Sequence, residues 1–198
     1  MHLPARVELE RRPLTTARLV IAPLDGDDAR DFLRAVDASR THLTPWLPWV
    51  ESCASSVDAL ARCEAAAQDW DAARALRFGV RDASTLQLIG VVALEAVVPA
   101  HDNADLVGWL HADALRHGFA TEAAAAVLTL AFRRAGMHRV RALASPSNLG
   151  AMGVLNKLGF RFEAVVRQAE RREGRWVDEC QHSLLARDPF RGPWWSNR

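Results

Sequence analysis

The stretch Leu115-Arg116-His117-Gly118-Phe119-Ala120-Thr121-Glu122-Ala123-Ala124 carries the clearest chemical signal in the chain. A basic, glycine-containing loop runs straight into a helical segment whose first turn holds Thr121 and Glu122. Free N–H groups at a helix N-terminus, a glycine that admits close backbone approach, and the charge of Arg116 together form a seat for an anion. Phosphate or pyrophosphate is the expected occupant; plain helix capping would use the same residues. A second signal is Leu43-Thr44-Pro45-Trp46-Leu47-Pro48-Trp49-Val50, an apolar loop stiffened by two prolines. Trp46 and Trp49 there either cover a core edge or line a pocket, and the two roles are compatible.

These residues need elements to position them. Phe119, Ala123, Ala126, Val127, Leu130 and Ala131 fit one face of a 3.6-residue period, so the spacing predicts a helix behind the seat. Arg133 and Arg134 before Gly136 mark its end. Upstream, Arg18 to Leu24 reads as a first strand closed by Pro23. Asp25-Gly26-Asp27-Asp28 offers a turn and cap for a helix burying Phe32, Leu33 and Val36. Ser55 to Asp58 caps a second helix through about Ala73, with Leu60, Cys63, Ala67 and Trp70 roughly in line. Extended segments follow at 75–80, 86–98 and 105–111, with a turn at His101-Asp102-Asn103. Beyond the central helix come a strand at 139–144 and a helix capped within Ser145-Pro146-Ser147-Asn148. Two closing strands, 160–167 and 176–185, are joined by a turn at 173–175. This order predicts a mixed α/β sheet: an antiparallel meander, then a strand–helix–strand crossover.

At 198 residues the chain suits a single domain with a sizeable core. It is 49% hydrophobic and 25% charged, ordinary globular usage, and its net charge of +1 gives no reason to expect nucleic acid as a partner. No apolar run approaches the length of a membrane span, and residues 1–13 lack a signal-peptide core. Cys53, Cys63 and Cys180 have no zinc or redox spacing and read as free thiols, so the expected compartment is cytoplasmic. The histidines have no metal spacing either, and no metal is expected. The chain holds seven Trp and no Tyr.

Three local patterns resemble the GCN5-related N-acetyltransferases. Arg116 through Ala123 resembles that family's pyrophosphate loop, Q/R-x-x-G-x-G/A. Gly118 and Ala120 match, but Leu115 holds the Q/R position and the basic residue is displaced to Arg116. Asn148 through Phe160 resembles N-x-x-S-x-x-V-x-E/N-K-L-G-F, with Ala151 in place of the Ser. Leu43 through Trp49 is similar to the W-L-P-W loop of the RimJ/RimL branch, which acetylates ribosomal-protein N-termini. The resemblance spans about residues 14 to 186, with 187–198 left as an aromatic tail. It implies a mostly antiparallel twisted sheet of about seven strands, splayed at the middle, with about four helices.

It also implies acetyl-CoA as co-substrate. Amides of Arg116, His117, Gly118, Phe119, Ala120 and Thr121 would hold the pyrophosphate, each charge–dipole contact adding roughly 0.3–1 kcal/mol. The pantetheine arm would pair with the strand edge at Trp109-Leu110-His111, and the thioester would lie in the splay before the strand at 139–144. Asn148 would bond the arm or the amine, its bland alternative being a helix cap that Ser147 could also supply. Asn156 and Lys157 would edge the cofactor cleft, or simply form a solvated helix face.

Acetyl transfer needs a neutral amine and a thiolate that can leave. A chain α-amine, with pKa near 7.8, is neutral in roughly one molecule in seven at pH 7, whereas a lysine amine is neutral about once in 2,500. An α-amine therefore asks little of a base. Asp105, which resembles the Glu of the family's A-E-x-G-Y-W-L pattern, and Glu95 on the preceding strand are the candidate bases. Gly108 for Tyr and Val107 for Gly depart from that pattern. With no Tyr, and with Ala151 where the RimL branch has Ser, what remains for the thiolate is a proton from Ser145, Ser147 or water, or stabilisation of the anion by helix N-terminal amides. The resemblance thus implies an N-acetyltransferase acting on a primary amine, either a protein N-terminus or a small amine, aminoacyl conjugate or antibiotic. The missing acid keeps a catalytically reduced acyl-CoA-binding module as the contrasting reading. The Trp-rich loop and the Trp194-Trp195 tail leave open a homodimer.

Overall fold

The computed structural model describes residues 1–172 and 174–189; the Trp194-Trp195 tail and Glu173 of the expected turn lie outside the described residues. One eight-stranded sheet organises the chain, in the order β1-β2-β3-β4-β5-β6-β8-β7. The strands are β1 (Leu14–Thr15), β2 (Leu19–Pro23), β3 (Leu76–Asp82), β4 (Leu88–Val98), β5 (Asn103–Leu110), β6 (Arg139–Ala144), β7 (Arg161–Arg172) and β8 (Arg175–Leu185). All neighbours pair antiparallel except β5 and β6, which run parallel across the helical crossover. The expected meander and crossover are both present.

Among the described residues seven α-helices accompany the sheet: α1 (Arg6–Arg11), α2 (Ala29–Asp37), α3 (Arg40–Leu43), α4 (Trp49–Ser52), α5 (Ser56–Asp71), α6 (Phe119–Thr129) and α7 (Leu149–Leu158). The short helices α1, α3 and α4 and the two-residue β1 exceed the expected four helices and seven strands. Elements of two to six residues carry too few periods to register as a pattern. The loop expected at 43–50 is therefore part helix, with Pro48 serving as the N-cap of α4. α5 begins as expected, in a capping box between Ser55 and Asp58. Its inward stripe is Ala59, Cys63, Ala66 and Trp70, one position off the expected line at two sites, and Leu60 is left 41% exposed.

Two apolar clusters hold the layers together. Adjacent residues of a strand point to opposite faces, so Val92 joins the larger cluster with α6 and α7, while Val91 joins the smaller one with α2 and α5. α6 is buried nearly all round, through Ala123, Ala124, Ala125, Val127 and Leu128, and continues as a π-helical turn at Leu130–Arg134. Gly136 ends it in the left-handed conformation, at φ 71°. The three cysteines are free and buried, and burial pushes the Cys63 thiol up to about 12. No helix among the described residues is long and apolar enough to cross a membrane.

Phe78 on β3 is fully buried and meets Trp70 of α5 edge-on, with ring centroids 4.8 Å apart. Phe78→Ala should lower unfolding free energy by about 3–5 kcal/mol, because the cavity lies between sheet and helix and cannot collapse. Urea unfolding followed by tryptophan fluorescence measures it, and a loss under 1 kcal/mol would contradict this packing.

Candidate active site

β5 and β6 pair at only three positions, Asn103 with Arg139, Ala104 with Val140, and Asp105 with Arg141. Beyond Asp105 they part, while β5 stays paired with β4 out to Leu110 and β6 stays paired with β8 out to Ala144. The expected splay is therefore present, and it leaves one edge of β5 from Leu106 onward free for another partner. A cleft of about 740 Å3 opens there. Leu106 to Leu110 form one wall and Ala142 to Ser145 the other. The start of α6 and the Gly150, Gly153, Val154 and Lys157 face of α7 close the sides.

At one end stands the N-terminus of α6. Gly118 is its N-cap, at φ 83°, and no side chain caps the helix. Arg116 is also left-handed, at φ 63°. The first helical N–H groups have no intrahelical acceptor, so Phe119, Ala120 and Thr121 present donors to the cleft they line. Glycine is the residue that reaches Gly118's conformation without strain.

An ion pair between half-exposed Arg18 and buried Glu122 fixes this turn. Glu122 is 3% exposed and accepts hydrogen bonds from Thr16 Oγ1 at 2.5 Å and from Arg18 Nε at 2.8 Å. Arg18 also donates through Nη1 to the His117 carbonyl at 3.0 Å and lies 4.6 Å over the Phe119 ring. The strand β2 region thus grips the loop from behind. Sequence reading missed this pair; its one local trace is a carboxylate set in an alanine-rich helix, and Arg18 is brought to it across 104 residues.

α7 supplies the other side wall. Asn148 is its N-cap and accepts from Ala151 N–H at 3.0 Å, so the cap falls to Asn148 and not to Ser147. Asn148 still lines the cleft, which leaves its amide NH2 available there. A Cβ added at Gly153 would meet nothing within 4 Å, and one at Gly150 would meet only Asn148 Oδ1 at 3.5 Å. Glycine within a helix costs roughly 0.5–1 kcal/mol against alanine; here it keeps a bare helix surface facing open space.

The cleft gathers Trp46, Trp109, Leu110, Arg116, Gly118, Phe119, Ala120, Thr121, Asn148 and Lys157 of the expected site residues. The others lie off its lining. Trp49 packs in the smaller core cluster, stacked on Phe32 at 6.0 Å and tilted against Trp109 at 6.2 Å. His111 accepts from the Asp113 N–H as a cap, His117 stacks on Phe119, and Asn156 is exposed on α7. Asp105 receives two bonds from Arg141, at 2.7 and 3.1 Å, and Glu95 receives one from Arg77 at 2.8 Å. Ser147 is exposed, but its hydroxyl lies 2.9 Å from that of Ser145, which is buried and lines the cleft.

The cleft lining also holds groups that sequence reading did not select. His42, on α3, lines it with Nδ1 buried and unpartnered among the described residues. Burial pushes its imidazole down, against a smaller upward pull from the Leu110 and Ser39 carbonyls. Arg172 and Glu179, from the β7–β8 hairpin, complete the wall beside Trp46. Among the described residues no group of three or more His, Cys, Asp or Glu could hold a metal ion.

Arg18→Ala should destabilise the fold by about 1–3 kcal/mol, because it leaves the buried Glu122 carboxylate without its charged donor. Chemical denaturation reads the loss, and Arg18→Ala combined with Glu122→Leu should recover part of it. A single variant as stable as wild type would mean that water replaces Arg18.

The residues 18–161 match the family model described as "Acetyltransferase (GNAT) domain". Among curated proteins, the uncharacterized N-acetyltransferase YoaA of Bacillus subtilis (strain 168) is 26% identical over 172 residues, covering 87% of this chain and 96% of that one. The probable N-acetyltransferase YjcK of the same organism is 36% identical over 110 residues, 55% of this chain and 59% of its own. Among solved structures, RimL, the ribosomal L7/L12 alpha-N-protein acetyltransferase in complex with coenzyme A, superposes with a TM-score of 0.84 at 17% identity, covering 88% of this chain and 98% of that one. MccE, the microcin C7 self-immunity acetyltransferase in complex with acetyl-CoA and AMP, gives 0.81 at 18% identity, with coverage of 87% and 98%. With the family model spanning most of the chain and the splayed sheet present, this protein belongs to the GNAT family and is an acetyltransferase.

Proposed function

We propose that this enzyme transfers the acetyl group of acetyl-CoA to a primary amine by direct attack in a ternary complex. The observation that carries the reading is the uncapped N-terminus of α6, opening beside the free edge of β5 in one cleft. Acetyl-CoA has an anionic pyrophosphate, a hydrogen-bonding arm and a thioester, and the cleft offers a partner for each. The amides from Gly118 to Thr121 and the charge of Arg116 would hold the pyrophosphate. The edge at Trp109-Leu110 would pair with the arm, and Asn148 and Lys157 would border it. Gly150 and Gly153 leave the room a bound arm needs. His117 would contribute backbone alone, since its ring is stacked on Phe119.

The acceptor we propose is an α-amine, as in the RimJ/RimL branch. Two observations support it: the appreciable neutral fraction of an α-amine near pH 7, and the likeness in fold to RimL and to Mycobacterium smegmatis RimJ, the latter with a TM-score of 0.80 at 24% identity. Ser145, inside the cleft and hydrogen-bonded to Ser147, would be the hydroxyl that protonates the departing thiolate. Ser147 acts through it. The arginine partners of Asp105 and Glu95, and their places off the cleft lining, weigh against either as the base.

Calorimetric titration with acetyl-CoA tests the cofactor site without knowledge of the acceptor. Wild type should bind, whereas Gly118→Trp and Gly153→Trp should each weaken binding more than tenfold. The Gly153 variant keeps its helical backbone, so retained folding with lost binding would place the arm on α7. Wild type that fails to bind acetyl-CoA would remove this reading.

A further inference from the structure

Glu179 is the one carboxylate among the described residues that line the cleft. It sits on β8 one residue beyond the Ala144–Cys180 pair, at the point where β6 runs out into Ser145. It is 5% exposed. Arg172 of β7 donates through Nη2 to Glu179 Oε1 at 2.5 Å, and Oε2 receives no hydrogen bond from another described residue. The same guanidinium also serves Glu170, through Nε at 2.9 Å and Nη2 at 2.5 Å. One positive charge is therefore shared between two carboxylates, and the group carries a net charge of about −1 at neutral pH by formal count. The Trp46 ring lies 5.7 Å from the same guanidinium and lines the cleft beside it.

The remaining titratable or charged side chains on the cleft lining are His42, Arg116 and Lys157. Arg116 and Lys157 stand at the α6 and α7 walls, where an anion is expected. Burial pushes His42 toward its neutral form. The acidic group on the lining is thus Glu179, on β8 and so on the β6 side of the splay, across from β5. Resting on the cofactor reading above, we propose that Glu179 receives the ammonium group of the acceptor and takes its proton.

The chemistry balances on groups already named. The ammonium gives one proton to Oε2, and the neutral nitrogen attacks the thioester carbonyl carbon. A C–N bond forms and the C–S bond breaks, with the bonding pair leaving on sulfur. The second nitrogen proton is lost as the amide forms, and one proton ends on the thiol through Ser145 or water. Glu179 then returns its proton to solvent. Burial, the largest influence on Glu179, raises its carboxyl above the usual range, with Glu170 adding to the rise and Arg172 opposing it. A carboxylate with a raised pKa is a stronger base once ionised. His42 cannot supply the attraction, because a neutral imidazole carries no charge to meet an ammonium.

The test uses alaninamide, a minimal α-amine, with acetyl-CoA, and follows thiol release from pH 6 to 9. Wild type should show alaninamide-dependent release. Glu179→Gln should lower kcat/KM about 100-fold, within the range general-base catalysis spans, while acetyl-CoA binding by calorimetry stays within twofold. It should also lose the enzyme's acid limb in the pH profile, after correction for alaninamide's own ionisation, and Glu179→Asp should recover part of the rate. Wild-type rates in Glu179→Gln would overturn the proposal, as would a loss of rate that merely accompanies lost acetyl-CoA binding or lost folding. Acetyl-CoA binding by wild type without any alaninamide-dependent release would overturn it too. Absence of acetyl-CoA binding would instead strike the cofactor reading beneath it.

Discussion

The parting of β5 from β6 after three residue pairs is the constraint on which the rest of this molecule turns. A sheet normally satisfies every backbone group of a central strand, and an unpaired stretch in the interior costs free energy unless something else bonds to it. Here the unpaired edge of β5 borders a cleft, so the gap is a place for a partner and not a flaw in packing. Parallel strands need a long crossover, and α6 is that crossover. Its N-terminus necessarily starts near the C-terminal end of β5. The strand edge and the helix dipole are thereby brought to one cleft by connectivity alone.

Holding that geometry open takes reinforcement from both faces. Behind the α6 turn, Arg18 and Thr16 anchor the buried Glu122, and Arg18 reaches on to the His117 carbonyl. A carboxylate in the first turn also complements the positive end of the helix, but its burial requires a charged partner. On the other face, Phe32, Trp49 and Trp109 form an aromatic group whose centroids lie 5.6–6.2 Å apart. It ties α2 and α4 to β5. The proline-stiffened segment running from α3 into α4 divides its two Trp residues between jobs, Trp46 facing the cleft and Trp49 the core.

Charge is distributed along the cleft in a way that gives it direction. Arg116 and Lys157 lie toward the helix termini, and the shared-arginine carboxylates of the β7–β8 hairpin lie opposite. On the proposed reading, an anionic cofactor and a cationic acceptor would therefore meet different walls of the cleft. The glycine face of α7 works by omission, since side chains at Gly150 and Gly153 would occupy the same space.

Features that are local were legible in residue type and spacing. The α6 loop, the Ser55 cap, the order of the longer elements along the chain and the crossover all follow from residue type and spacing over a few turns, and each is where the pattern placed it. Helices of four to six residues, α1, α3 and α4, escaped because so short a stretch shows no period. The tertiary structure decided which polar side chains share a space. Asp105 and Glu95 read as candidate bases in the sequence, yet Arg141 and Arg77, 36 and 18 residues away, claim them. Glu179 gave no local sign, because its position depends on β8 folding back beside β6 and on Arg172 crossing from β7. Burial and ion pairing are properties of neighbours in space, and a carboxylate's chemistry is set by them and not by its place in the chain.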